Sequence, residues 1–81
     1  MTITVQLFAR ARDLVGGPQL AVHLPPEATV ADLKSALIRV RPDLAPLVRS
    51  LLVAVDGEYA TDTAPLAAAV EVACFPPVSG G

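Results

Sequence analysis

Few side chains in this sequence could do chemistry. There is one histidine, His23, and one cysteine, Cys74. Neither has a partner at a spacing that would hold zinc or form a nucleophile–base pair. His23 falls in the polar phase of a strand-like run and reads as a surface residue. Cys74 shares its phase with Val70 and Val72, so it reads as a small buried hydrophobe. A reactive thiol would need positive, exposed surroundings, and its neighbours supply none. Gly16-Gly17 lacks a following lysine and reads as a turn rather than a phosphate loop. The expectation is therefore no metal and no unaided catalysis by side chains. The unusual chemistry lies in the closing run Phe75-Pro76-Pro77-Val78-Ser79-Gly80-Gly81. Two prolines favour an extended backbone leading away from a sheet. Two glycines without Cβ atoms can thread a narrow channel. Six residues beyond Phe75 reach about 20 Å at most. The pattern predicts an extended tail of Pro76, Pro77, Val78, Ser79 and Gly80, long and slim enough to deliver a carboxylate on Gly81 into another protein's active site.

The elements that must carry this tail are legible from periodicity. Ile3, Val5 and Leu7 alternate with Thr4 and Gln6, which predicts a half-buried strand over residues 2–8. A short helical turn over residues 11–15 ends at Gly16. Residues 19–24 alternate again, with Leu20, Val22 and Leu24 on one face, and Pro25-Pro26 ends that strand. Thr29 with Asp32 three residues on is a capping-box signature. Val30, Leu33, Leu37 and Val40 form an apolar stripe at helical spacing. Pro42 stops the helix at Arg41, and Asp43 is expected to cap a second short helix reaching Arg49. Leu51–Val55 and Glu58–Ala60 flank Asp56-Gly57, a strong hairpin signal. One helical turn is expected over Pro65–Ala69, and a last strand over Val70–Phe75.

The order predicts an α+β roll: a mixed sheet of about five strands with one main helix packed on one face and the other face open. It fits a β-grasp, or ubiquitin-like, domain over residues 1–75 followed by a tail over 76–81. Phe8 and Phe75 each fall opposite the aliphatic phase of their strands. If those strands are neighbours, the two rings make an exposed apolar patch beside the tail, of the kind that meets a partner. Arg12 is a further candidate for a charged contact.

Composition excludes several classes. With 81 residues the chain holds one domain. It carries six basic and eight acidic residues without a basic stripe, so nucleic acid is not an expected partner. No run is long and apolar enough to span a membrane. A single cysteine permits no internal disulfide, and a soluble protein of a reducing compartment, the cytoplasm, is the expectation.

The ending Phe-Pro-Pro-Val-Ser-Gly-Gly resembles that of the small, sulfur-carrying subunit of molybdopterin synthase. The run from Phe8 to Gly16, the capped helix and the Leu52–Val55 hairpin strand extend the resemblance over the whole chain. Asp56 stands where the family often has Asn, and Ala67-Ala68-Ala69 where it often has a Gly-Asp pair. Both departures bear on turn geometry. Cys74 stands where many relatives have a larger apolar residue.

The resemblance implies a sulfur carrier for molybdenum cofactor biosynthesis. An E1-like adenylating enzyme would use Mg-ATP to turn the Gly81 carboxylate into a glycyl adenylate. A sulfur donor, a sulfurtransferase or desulfurase, would then leave a 1-thioglycine thiocarboxylate. That sulfur would pass to the cyclic pyranopterin precursor in the large subunit, within a heterotetramer. The nucleotide would be bound by the partner, and no cofactor is held permanently. The same chemistry would serve a carrier for tRNA thiolation, thiamine or cysteine synthesis, and partner identity alone separates these. A ubiquitin-like protein modifier would instead join Gly81 to lysines of target proteins through isopeptide bonds.

Overall fold

The structure, a computed structural model, describes residues 1–66 and 71–77. β1 (Thr2–Leu7) and β2 (Gln19–His23) form an antiparallel pair joined through α1 (Ala9–Val15). The main helix α2 (Val30–Val40) follows, then a 3₁₀ turn (Pro42–Leu44) and the short α3 (Ala45–Val48). β3 (Leu52–Val55), β4 (Glu58–Ala60) and β5 (Val72–Phe75) complete a five-stranded sheet of order β2-β1-β5-β3-β4. β5 lies at the centre, parallel to β1 and antiparallel to β3. This is the β-grasp arrangement that the element order predicts, with the main helix α2 flanked among the described residues by the short helices expected before and after it.

One face of the sheet is buried. Ile3, Val5, Leu7, Val22, Val53, Val72 and Cys74 point into a single core with Val30, Leu33, Ala36 and Leu37 of α2. The alternation in β1 is the cause, since period two sends Thr2 and Thr4 to the opposite face. Val40 departs from the expected stripe. It is the last residue of α2 and 49% exposed, because the chain turns off at Arg41 (φ −134°, ψ 88°) before anything covers it. Ala36 is buried in the helix interior instead.

The start of α2 is fixed as the sequence predicts. The Thr29 N–H donates to Asp32 Oδ2 at 2.9 Å, completing the acid's half of the capping box. Two further free donors of the first turn, on Val30 and Ala31, reach the carbonyls of Ala64 and Asp62. The 61–66 loop is thus strapped to the helix, and Lys34 Nζ reaches Asp62 Oδ1 at 2.8 Å from the next turn. Asp32→Ala removes the acid's half of the capping box and leaves the straps to the loop in place. It is expected to cost about 1 kcal/mol and lower the melting temperature by about 4–8 °C. A thermal melt unchanged within about 1 °C would contradict this role for Asp32.

Asp43 does not cap a helix. The 3₁₀ turn begins at Pro42, and the Asp43 carboxylate instead takes Nε and Nη2 of Arg41 at 3.2 and 3.0 Å. That guanidinium beside it holds the Asp43 carboxyl below its usual range. The same Arg41 donates to the carbonyls of Leu14 and Val15 at the end of α1, satisfying acceptors left free there. An arginine able to serve four acceptor atoms on three residues at once takes the carboxylate that a cap would need. Ala9 opens α1 with φ 54°, and α1 starts two residues earlier than expected.

Asp56 and Gly57 have φ of 51° and 87°, the two positive values of a type I′ turn. Aspartate tolerates this as asparagine does, so the departure at Asp56 leaves the hairpin intact. Asp56 also exchanges bonds with the residue before β5: its N–H donates to the Glu71 carbonyl, and Oδ1 accepts the Glu71 N–H, both at 2.7 Å. Pro65 makes an isolated bridge to Thr29. The helical turn expected over Pro65–Ala69 and the strand start at Val70 involve residues 67–70, which lie outside the described residues. β5 itself begins at Val72.

Candidate functional site

The open face of the sheet is where the candidate residues meet. Phe8 has extended backbone (φ −129°, ψ 155°) and so continues the pleat of β1 by one residue. The parallel register sets Leu7 beside Cys74, which brings Phe8 level with Phe75 on the side away from the core. Neighbouring strands run about 4.8 Å apart. The two rings lie 4.7 Å apart and 10° from parallel, a stack imposed by the strand spacing. Phe8 remains 42% exposed. The pairing predicted from phase alone is therefore present.

The patch is larger than those two residues. Leu52 pairs with Phe75 on the far side and is 39% exposed. Tyr59, on β4, sits 6.4 Å from Phe75 at 79° and is 71% exposed. Sequence reasoning did not nominate either. A signal existed, because the two-residue Asp56-Gly57 turn fixes the hairpin register and sets Tyr59 opposite Ala54. Across the sheet, Gln6, Ala73, Ala54 and Tyr59 form one row. Two alanines in its middle, among larger neighbours, leave an open concavity of about 310 Å³. Gln6, Tyr59, Glu71 and the ring pair wall it.

Phe75 ends β5 at the sheet centre, and Pro76 and Pro77 follow directly. The patch therefore surrounds the root of the tail. Val78, Ser79, Gly80 and Gly81 lie outside the described residues. Arg12 is exposed on α1 and does not line the concavity. Among the described residues its side chain makes no ion pair.

Of the two other candidate groups, one lies at the surface and one in the core. His23 is exposed, with Nδ1 2.9 Å from Thr2 Oγ1 across the β1–β2 pair. Cys74 is fully buried, and burial pushes its thiol up to about 11 from 9.0. The folded state thus holds the proton that the unfolded chain gives up first. Stability is complete below about pH 9 and falls as pH rises towards 11, by at most about 1.4 kcal/mol per pH unit. Chemical denaturation across this range is expected to show a steeper loss for the wild type than for Cys74→Ala, and equal slopes would refute it.

Among the described residues, no group of His, Cys, Asp and Glu could hold a metal ion, and no helix is long and apolar enough to cross a membrane. What the described residues offer is an exposed apolar face around Phe75 and the two prolines that follow it. The topology and this face define a ubiquitin-like domain of the β-grasp class. The chain belongs to the ThiS family, whose model matches residues 5–81. It is 38% identical over 79 residues to the molybdopterin synthase sulfur carrier subunit of Arabidopsis thaliana, covering 98% of this chain and 82% of that protein. The Caenorhabditis elegans protein of the same description is 32% identical over 83 residues, covering 100% and 99%. Among solved structures, SAMP1 from Haloferax volcanii superposes with a TM-score of 0.84 at 31% identity over the full length of both chains. A putative molybdopterin converting factor, subunit 1, from Pyrococcus furiosus gives 0.83 at 27% identity, covering 96% and 99%.

Proposed function

We propose that this chain is the sulfur carrier of molybdopterin synthase, presenting sulfur on Gly81 to a large subunit docked on the open sheet face. The observation that carries this reading is the end-to-end kinship with relatives described as that sulfur carrier subunit. The stacked Phe8–Phe75 pair at the root of the tail supports it, because a tail entering a partner's active site needs an anchoring surface beside it.

The chemistry follows from the carboxylate. A carboxylate resists nucleophiles. Attack of its oxygen on the α-phosphorus of ATP, in the adenylating partner, forms a glycyl adenylate and releases pyrophosphate. A sulfide-level sulfur nucleophile then adds to the carbonyl and AMP leaves, giving a thiocarboxylate. Its sulfur is a softer and stronger nucleophile than the oxygen it replaces. The domain contributes position rather than catalysis: it holds the tail root while the partner supplies nucleotide, metal and precursor.

The test is the intact mass of the chain after incubation with an E1-like adenylating enzyme, Mg-ATP and sulfide. A single oxygen-to-sulfur gain confined to Gly81 is expected. Similarity to a solved structure described as small archaeal modifier protein 1 of H. volcanii raises the second reading, a protein modifier. That reading predicts amide-linked adducts to lysines of other proteins in place of the thiocarboxylate.

A further inference from the structure

We propose that the concavity on the open sheet face is a socket for one arginine side chain of the partner protein, seated between the aromatic rings and Glu71. The proposal rests on the reading that this face meets a protein partner, and it names the chemistry of that contact.

Ala54 and Ala73 make an apolar floor with no side chain beyond Cβ, so a long side chain can lie flat on it. The exposed ring of Tyr59 stands at one end of the row and Gln6 at the other. The Phe8–Phe75 stack closes one wall, and Glu71 closes the opposite one. Glu71 is the one charged side chain lining the concavity among the described residues. Its backbone is held on both sides by Asp56, which fixes where the carboxylate starts. Among those residues its carboxylate makes no ion pair.

Aromatic faces attract cations, and a lone carboxylate at the rim selects the same charge. A planar guanidinium stacks on a ring and meets a carboxylate in fork geometry, whereas an ammonium does neither as well. The methylene stem of arginine covers the alanine floor. The chain's own tail is a poor occupant, since a carboxylate on Gly81 would meet the carboxylate of Glu71. The socket adjoins Phe75, so an arginine seated there would hold the partner beside the tail root.

Two measurements test this. Calorimetric titration of the full chain with the large subunit of molybdopterin synthase is expected to show about 10-fold weaker binding for Glu71→Gln. Salt should weaken the wild-type complex more steeply than the variant complex. Binding of Glu71→Gln and Glu71→Lys within twofold of wild type overturns the proposal, and points to an apolar occupant if Tyr59→Ala still weakens the complex. The second measurement needs no assigned partner. N-acetyl-argininamide is titrated into the isotope-labelled chain and the amide resonances of Ala54, Tyr59 and Ala73 are followed. Saturable shifts are expected, reduced several-fold in Glu71→Gln and smaller with the N-acetyl-lysinamide probe. Equal shifts with N-acetyl-leucinamide, or none with argininamide, overturn the socket. If the large subunit fails to bind at all while argininamide binds, the assigned partner is wrong and the socket stands.

Discussion

A chain lacking Gly81 is expected to gain almost no sulfur. In the mass assay with adenylating enzyme, Mg-ATP and sulfide, the rate is expected to fall by at least about 100-fold. Removing one residue draws the carboxylate back by about 3.5 Å. A misplacement of about 1 Å at a reacting centre already costs on the order of 100-fold. Gly80→Val is expected to fail similarly for a different reason, since a branched Cβ enlarges the tail where glycine leaves only backbone. The buried core is complete within the described residues, Val72 and Cys74 included, so both variants are expected to melt with the wild type. A shortened chain that accepts sulfur at an undiminished rate would remove Gly81 from the proposal altogether.

Phe75→Ala separates docking from chemistry. Binding to the large subunit is expected to weaken by roughly 30-fold, the scale of a central aromatic anchor. Phe8→Ala should weaken it by roughly 10-fold, because Phe8 covers one face of that anchor. Each change also removes a ring stack worth about 1 kcal/mol, so modest destabilisation accompanies it. The domain still folds, since both rings lie on the side away from the core. Calorimetry with folded variants decides the matter: if both bind within twofold of wild type, the patch is not the docking surface.

The parts of this architecture that could be read from the sequence are those governed by local periodicity. The alternation of Ile3, Val5 and Leu7 gives the buried face of β1, and the Thr29–Asp32 spacing gives the start of α2. The hairpin follows from Asp56-Gly57 alone. The misread residues depend on contacts and chain ends that local periodicity does not carry. Asp43 looks like a cap until Arg41 takes its carboxylate while also closing the end of α1. Val40 lies on the right side of the helix but at its last position. At the site, strand phase is enough to put Phe8 and Phe75 on one face. The concavity and the position of Glu71 require the register of β5 against β3, a pairing across some twenty residues that no short-range pattern encodes.

The central position of β5 bears on how the domain withstands force. When a partner draws on the tail, the pull enters at Phe75, on a strand bonded to β1 on one side and β3 on the other. A tug along that strand loads these hydrogen bonds together in shear, whereas the same tug on an edge strand such as β4 could peel its one ladder rung by rung. Strand order thus makes Phe75 a mechanical anchor, which suits the threading into successive proteins that the proposed function asks of the residues beyond it.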